Sequence, residues 1–368
     1  MPTVLITGTR APVGLEMVRQ FGAAGWRVIV AESLPIHLAH GSRYLHRSYA
    51  VPAPRFDPLG YVAALTTISQ QEGVSLLIPT CEEVFHIAAA YDVLSAHCTV
   101  FSEPLARLIP LHSKAAFIAL ARSFGLAVPD THIITNVEQA HALLGEPIVL
   151  KPEYSRFATQ TIIRPRTAHD LIACDASPTR RWVAQTYLEG RQVCSYSIAH
   201  NGRLTAHAVY ATEYTAGRGA TIAFRPLDYP QVRAWVTQFV GAYGYTGQIA
   251  FDFIESDQGV MAIECNPRAI SGLHLLAGSV VEAIIHPDAD YIEPSLTGGS
   301  AVKLALVVYG YGAQIGEWWT LRDVVWRVDD LLPALMQVAV VGQMAWRAVQ
   351  QGSSLIGAST WDIEWNGE

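Results

Sequence analysis

Two segments of alternating apolar and polar residues, separated by a short polar turn, constrain the fold of this chain most. They span residues 247–254 and 260–266, and their pattern predicts an antiparallel β-hairpin. In one register Asp252 lies across from Glu264. Asn266 shares the face of Glu264 because side chains repeat every two residues along a strand. The hairpin therefore predicts two carboxylates and an amide oxygen at one spot.

These oxygens predict a metal site. Carboxylate and amide oxygens are the hard ligands that Mg²⁺ prefers when it also holds nucleotide phosphates. Arg268 follows Asn266 by two residues and adds a fixed cation, which suits a transferring phosphoryl group. An exposed hairpin with ordinary surface charges is the alternative interpretation, and it has to be weighed against the rest of the chain.

The first hundred residues alternate between strand and helix patterns. Strands at 4–7, 26–31 and 75–79 enclose helices at 15–24 and 59–71, a βαβ series that predicts an open parallel α/β sheet.

The turn at residues 8–14 contains glycine but lacks the full GxGxxG spacing, so it favours a tight strand-to-helix turn over a dinucleotide site. Glu82 and Glu83 follow the strand at 75–79, at the edge where ligands of open α/β sheets gather. They either line a substrate cleft or begin a helix, where the dipole favours acids.

The remainder of the chain divides by pattern. Residues 106–192 predict a small α+β module, with a helix from Ser113 to Phe124 and a strand that ends near Lys151. A larger antiparallel set follows to about residue 300. We therefore predict an N-terminal α/β domain (1–105), a lid (106–192), an antiparallel-sheet domain (193–300) and a C-terminal extension (301–368).

Composition excludes several classes of protein. The chain is 51% apolar, 15% charged and carries a net charge of -7, which argues against nucleic acid as a partner. Five scattered cysteines without a CxxC motif, and an N-terminus that starts with a strand, favour a reduced cytoplasmic protein. No apolar run is long enough for a membrane span. The uncharged segment at 331–346 predicts a buried helix, with the interface of a homodimer or a contact with a membrane surface as alternatives.

Several ordered motifs together carry a resemblance to a known family. They are Ser113-Lys114, Ile148-Val149-Leu150-Lys151-Pro152, Gln185-Thr186-Tyr187-Leu188-Glu189-Gly190, Asp252, and Glu264 to Arg268. In this order and at these separations, the chain resembles the ATP-grasp superfamily over about residues 1–300. Biotin carboxylase, carbamoyl phosphate synthetase and D-alanine–D-alanine ligase are members.

The resemblance implies a role for each matching position. Lys114 and Lys151 would contact the phosphates of ATP, Gln185 and the backbone of Leu188 would contact adenine, and Gln192 would contact the ribose. Asp252, Glu264 and Asn266 would bind Mg²⁺ or Mn²⁺, and Arg268 would contact the transferred phosphate. The phosphate loop after Lys151 departs from the family, because residues 153–159 contain no glycine. Ser155, Arg156 and Thr159 offer donors there instead.

The expected activity is that of an ATP-dependent ligase that activates a small-molecule carboxylate as an acyl phosphate, which an amine or another nucleophile then attacks. Arg218, in the loop at 214–219, is the expected contact of the acyl phosphate or carboxylate. Glu82, Arg225, Ser271 and His274 are weaker candidates for substrate contacts.

Three alternatives stay open at this stage. A non-catalytic nucleotide-binding or regulatory protein would agree with the glycine-free loop. An NAD-dependent oxidoreductase would use the turn at 8–14 with Glu32 on the ribose. Bicarbonate activation, as in carboxylases, would use the same ATP site.

Overall fold

The computed structural model of the chain describes residues 1–156, 158, 160–217, 219–311, 316 and 318–367. Three β-sheets form within this part of the chain. Together with the helices around them they give a mixed α/β architecture, as the sequence predicts.

The first sheet is parallel and has the strand order β3-β2-β1-β4-β5. Its strands are β1 (Thr3–Thr7), β2 (Arg27–Glu32), β3 (Arg47–Ala50), β4 (Leu76–Ile78) and β5 (Thr99–Val100). The helices between them are α1 (Pro12–Ala23), α2 (Pro58–Glu72), α3 (Val84–Ala89) and α4 (Tyr91–Ser95). Every residue of β1 is buried, as expected for a strand covered by helices on both faces. The predicted open parallel sheet is confirmed.

The second sheet is antiparallel and has the order β6-β9-β7-β8. Its strands are β6 (Thr131–Ile134), β7 (Ile148–Pro152), β8 (Ile162–Ile163) and β9 (Trp182–Thr186). Helices α5 (Leu105–His112), α6 (Lys114–Ser123) and α7 (Val137–His141) accompany this part of the chain. Strand β7 is the strand predicted to end near Lys151. Strand β6, a short edge strand that pairs with β9, was not predicted.

The third sheet has the order β14-β13-β10-β11-β12-β15-β16. Its strands are β10 (Arg191–His200), β11 (Arg203–Ala216), β12 (Ala220–Pro226), β13 (Gly247–Ser256), β14 (Gly259–Asn266), β15 (Gly299–Ala301) and β16 (Leu321–Asp323). The helices of this region and of the C-terminal extension are α8 (Pro230–Tyr243), α9 (Val280–Ile285), α10 (Lys303–Val308), α11 (Leu332–Gln351) and α12 (Leu355–Thr360).

The predicted hairpin register is confirmed. In the β13–β14 pair Asp252 lies opposite Glu264, and the pairing shifts immediately after Asp252 through a bulge. The alternate residues Phe251 and Phe253 point to the other face, where both rings pack against Trp235 of α8. The apolar face of β13 thus anchors the strand in the core and leaves Asp252 on the opposite face.

The C-terminal extension returns to the first sheet. Buried ion pairs connect Asp330 to Arg19 of α1 and Asp362 to Arg10, beside the turn that precedes α1. Helix α11 also packs on residues 38–41, after β2. The position of this extension beside the N-terminal sheet was not predicted. The domain boundaries stay predictions.

No helix within the described residues is long and apolar enough to cross a membrane. All five cysteines are free thiols, as predicted. The segment at 331–346 forms the predicted helix, but the helix is buried on one side only. Val340 and Met344 are buried, whereas the other face exposes Leu335, Val338, Trp346 and Val349, which corrects the prediction of a buried helix. A homodimer through this helix and a cytoplasmic location both stay predictions.

Candidate functional site

A cavity of about 560 Å³ lies where the second and third sheets meet the turn after β1. Most of the site residues predicted from the sequence line this cavity, although the chain separates them by up to 160 positions. They are Lys114, Lys151, Ser155, Gln185, Leu188, Gln192, Asp252, Glu264, Asn266, Arg268, Ser271 and His274.

Asp252 and Glu264 form the acidic centre of the cavity. Burial and the neighbouring charge of Glu264 raise the pKa of Asp252 to about 6. The Cys194 thiol donates to Oδ1 of Asp252 at 3.0 Å, and Nδ2 of Asn266 donates to Oδ2 at 3.3 Å. The two carboxylates face each other, and one of them resists ionisation because of burial and the other's charge. A bound divalent cation would reduce the repulsion between them.

The donor set fits Mg²⁺ through oxygen atoms. No group of three His, Cys, Asp or Glu side chains suited to a metal occurs among the described residues, so the third protein ligand here would be the amide oxygen of Asn266. Two carboxylates with an amide oxygen leave coordination positions for phosphate oxygens and water, as Mg²⁺ sites for nucleotides do.

Two lysines flank the acidic centre. Ser113 caps α6 by accepting a hydrogen bond from the backbone of Ala116, and this places Lys114 in the first turn of the helix. Nζ of Lys114 donates to the carbonyl of Ser155 at 2.9 Å and lies 3.7 Å from Oε1 of Glu264. The lysine thus connects the phosphate loop to the acidic hairpin.

Lys151 approaches from β7. Its Nζ donates to the carbonyl of Ile263 at 3.2 Å. Burial lowers the pKa of Lys151 to about 8, and the attraction of Glu264 only partly offsets this effect. A buried ammonium with one acceptor among the described residues gains from a polyanionic ligand.

Arg268 is fixed by an ion pair that the sequence did not predict. Its Nε donates to Oε1 of Glu82 at 2.7 Å, and its Nη2 donates to Oδ1 of Asn266 at 3.2 Å. Burial opposes ionisation of Glu82, but the neighbouring positive charges, with Arg268 first among them, and the hydrogen bond from Arg268 together outweigh it and hold the pKa of Glu82 at about 2. Glu82 therefore lies behind Arg268, buried, and orients the guanidinium.

The other end of the cavity, beside β9, is lined mainly by apolar side chains. Gln185 lies on β9, where its Nε2 donates to Oγ1 of Thr131 at 3.1 Å. Leu188 and Gln192 follow along the chain. The apolar side chains that complete this end are Val149, Ile163, Ile254 and Ile263.

The weaker substrate candidates occupy different positions. Ser271 lines the cavity and donates to the carbonyl of Thr221 at 3.1 Å. His274 is buried, stacks on Phe224 and places Nδ1 3.7 Å from Oε2 of Glu16. Arg225 lies on β12, 3.7 Å from Oε2 of Glu213, and the structure does not place it with the acidic centre.

The loop expected to carry Arg218 is shorter than predicted, because β11 extends to Ala216 and β12 begins at Ala220. Arg218 itself lies outside the described residues.

The phosphate loop is fastened by the C-terminal extension. Nε of Arg156 donates to Oγ1 of Thr360 at 2.6 Å, and its guanidinium pairs with Glu364. Trp365 stacks on Phe85 and makes an edge contact with Tyr154 of the loop. Sequence reasoning gave these terminal residues no role. Their signal is the alternation of aromatic, acidic and apolar residues at 361–365, typical of a docked segment.

The turn after β1 is built around Arg10. Glu32 accepts hydrogen bonds from the backbone nitrogen and the guanidinium of Arg10, and from the backbone of Ser33. In an NAD-dependent oxidoreductase Glu32 would bind the ribose instead. Its engagement with Arg10 removes that support for the oxidoreductase alternative.

No protein-family model matches the chain. Among curated proteins, it is 27% identical over 209 residues to the multifunctional protein pyrABCN of Emericella nidulans, and 25% identical over 175 residues to the multifunctional protein pyr-3 of Neurospora crassa. These matches cover 49% and 43% of this chain. The chain spans 9% of the length of either relative.

Solved structures resemble the chain over most of its length. N5-carboxyaminoimidazole synthetase from Staphylococcus aureus matches with a TM-score of 0.64 at 13% identity, covering 81% of this chain and 80% of that one. L-amino acid ligase from Bacillus licheniformis matches with a TM-score of 0.61 at 14% identity, covering 75% and 70%.

The biotin carboxylase domain of the 2-oxoglutarate carboxylase from Hydrogenobacter thermophilus, solved with MgADP and bicarbonate, gives a TM-score of 0.62 at 13% identity, covering 80% and 73%. With the sheet arrangement above, these likenesses show that the chain has the ATP-grasp fold.

Proposed function

We propose that this protein is an ATP-dependent ligase that joins a small-molecule carboxylate to an amine or a related nucleophile. A carboxylate oxygen attacks the γ-phosphorus of ATP, the bond to the β-phosphate oxygen breaks, and an acyl phosphate and ADP result. The nucleophile then attacks the acyl carbon and releases phosphate, and an amine loses a proton in that step. The chemistry needs no protein nucleophile.

The observation that carries the proposal is the arrangement of charge in one cavity. Asp252 and Glu264 face each other across the hairpin, while Lys114, Lys151 and Arg268 surround them. Phosphoryl transfer depends on positioning and on neutralising charge, and this arrangement supplies both. Bound at Asp252, Glu264 and Asn266, Mg²⁺ would neutralise charge on the phosphates.

The chain's own residues have distinct tasks in this proposal. Lys114 and Lys151 bind phosphate oxygens of ATP. Arg268, oriented by Glu82, lies where negative charge develops on the transferred group. Gln185, Leu188 and Gln192 bind the adenosine end, with the donors of Ser155 on the phosphate side. We also propose that Arg218 binds the acyl phosphate or the substrate carboxylate. Ser271 and His274 would border the substrate pocket.

Trapping with hydroxylamine tests the proposal without knowledge of the natural nucleophile. Hydroxylamine converts an acyl phosphate to a hydroxamate, so pooled carboxylates with MgATP should give ADP and hydroxamate in equal amounts. Glu264→Gln and Asp252→Asn should each lower turnover at least about 100-fold, the scale for losing one group that stabilises transition-state charge. Thermal unfolding should change little.

Glu255→Gln is the matched control, because Glu255 lies on the same hairpin in an exposed pair with Arg191. It should keep normal turnover. Near-normal activity of Glu264→Gln would show that the metal assignment is wrong, and failure to bind ATP would overturn the ligase proposal.

A regulatory nucleotide-binding protein is the second candidate, and the fastened phosphate loop favours it. Arg156, a loop donor that the sequence offers to phosphate, is paired with Glu364. Tight binding of MgATP with no turnover for any pooled acid would support this candidate.

A further inference from the structure

The cavity continues beyond the acidic centre into a part that the proposed reaction does not use. Its wall there comes from α10, α11 and α12, all in the C-terminal extension. We call this part the apolar chamber and define it by Leu304, Val308, Val340, Val341, Met344 and Ile356.

The apolar chamber is a formed part of the protein rather than a chance surface hollow. Val340 and Met344 are buried and belong to the same core as Leu38, which lines the cavity from the N-terminal side. Ile356 packs with the cluster around Ala216 and Leu306. The wall is thus held from two separate cores.

Within the described part of the chain, the basic side chains at this end of the cavity are compensated by acids of the protein. Among the described residues that line this end, the basic side chains are Arg10 and His274. Arg10 is buried between Glu32 and Asp362, and His274 lies beside Glu16. Neither is placed to hold a substrate carboxylate, because each faces an acid of the protein.

This distribution of charge determines how a bound carboxylic acid would be oriented in the cavity. Its carboxylate must lie near Arg268 and the lysines, where phosphoryl transfer would occur. The rest of the molecule then extends toward the apolar chamber, where the polar lining side chains include Gln337, Ser359 and Thr360 and the remaining hydrocarbon wall favours an apolar group.

We propose that the acid is one with a sizeable apolar body, a branched or aromatic amino acid or a medium-chain carboxylic acid, and that the C-terminal extension selects it. This inference rests on the proposed ligase function. The shared chemistry is a carboxylate followed by an apolar group. A series of α-amino acids and a series of simple fatty acids distinguish whether the substrate is an amino acid or a plain carboxylic acid.

The experiment compares kcat/KM for hydroxamate formation along both series, from alanine to leucine and phenylalanine, and from butyrate to octanoate. We expect a rise of roughly fourfold for each added methylene until the chamber is full. The series with the higher values identifies the source. Equal kcat/KM for short and long acids in both series would overturn the inference and leave the ligase proposal standing.

Two neighbouring valines of α10 provide a matched pair of variants. Val308 lines the cavity and is 49% exposed, whereas Val307 is 57% exposed and is not among the described residues of the cavity wall. Val308→Trp should lower kcat/KM for the longest acid at least tenfold and leave the shortest within twofold, and Val307→Trp should change neither. Ile356→Trp gives a second obstruction from α12. The inference would be overturned if Val308→Trp, Val307→Trp and Ile356→Trp all changed kcat/KM for the longest and the shortest acid by the same factors.

Calorimetry separates this inference from the ligase proposal. Octanoate and phenylalanine are titrated into the full chain with and without MgADP. If no acid gives hydroxamate, the ligase proposal fails, while binding that Val308→Trp abolishes and Val307→Trp retains still supports the apolar chamber. No binding of either acid to the wild-type protein would overturn the chamber as well.

Discussion

At the residue scale, Lys151 is the group whose charge state is most open to a simple test. Burial lowers its pKa to about 8, so its positive charge is complete below that pH and is lost as the pH rises through it. If Lys151 binds phosphate, ATP binds the protonated form. The dissociation constant for ATP should then rise above pH 8, approaching tenfold per pH unit.

The measurement is equilibrium binding of ATP between about pH 6.5 and 9.5 at constant ionic strength. Lys151→Arg is the control, because a guanidinium keeps its charge throughout this range. Its affinity should show no such fall above pH 8, whatever its absolute value. A fall of the same size in this variant would assign the titration to another group.

The residues of the acidic centre also show what the sequence can predict. Asp252 and Glu264 lie within one hairpin, where the two-residue period fixes which side chains share a face, and that register is confirmed. Glu82 and Arg268 are 186 positions apart. Their ion pair depends on how the first sheet packs against the third, and no local pattern contains that information.

At the element scale, the phosphate loop and the C-terminal segment act on each other. Arg156 of the loop is largely buried and pairs with Glu364, which also pairs with Arg55. Glu364→Gln removes the charge that holds Arg156 and loosens the loop. We expect KM for ATP to rise about five- to tenfold, or roughly 1–1.4 kcal/mol, with a smaller change in kcat.

Glu293→Gln serves as the control for that variant, since Glu293 pairs with Arg233 on the surface, away from the loop. Steady-state kinetics at saturating acid gives both constants. A lower kcat at unchanged KM would mean that Glu364 acts on the chemical step and not on nucleotide binding.

Helices and strands were predicted correctly where a single sequence pattern determines them. Helix α2 was predicted at 59–71 and spans Pro58–Glu72, because Asp57 caps it and Gly73 ends it. Strand β12 was missed although it forms part of the third sheet. Its pairing with β11 passes through two register shifts, and such irregular pairing follows from sheet curvature and not from side-chain period.

At the scale of the whole molecule, the C-terminal extension connects regions that the motifs describe separately. Asp362 accepts from Arg10 and Ser33, next to the first sheet, while Trp365 reaches Tyr154 in the phosphate loop. The extension therefore bridges the region of the N-terminal sheet and the loop after β7. Sequence motifs could not indicate this, because they end at Arg268.

This bridging contact predicts a large stability effect at a position far from the acidic centre. Burial opposes ionisation of Asp362, but the charge of Arg10 and the hydrogen bonds from Arg10 and Ser33 outweigh it and lower the pKa of Asp362. Asp362→Asn leaves buried Arg10 with one acid instead of two. We expect a loss of about 2–4 kcal/mol in the free energy of unfolding at neutral pH, somewhat below the cost of leaving a buried charge unpaired.

Asp130→Asn is the matched control, because the Asp130–Arg122 pair has side chains that are 76% and 51% exposed, and exposed pairs contribute at most about 1 kcal/mol. Urea unfolding of both variants gives the comparison. The lowered pKa of Asp362 stabilises the folded protein fully only at pH values at which Asp362 is also ionised in the unfolded chain. The difference in the free energy of unfolding between wild type and Asp362→Asn should therefore shrink as the pH falls below about 3.9. Equal losses in the two variants would mean that Asp362 does not hold the extension in place, and that α11 and α12 dock through their apolar contacts alone.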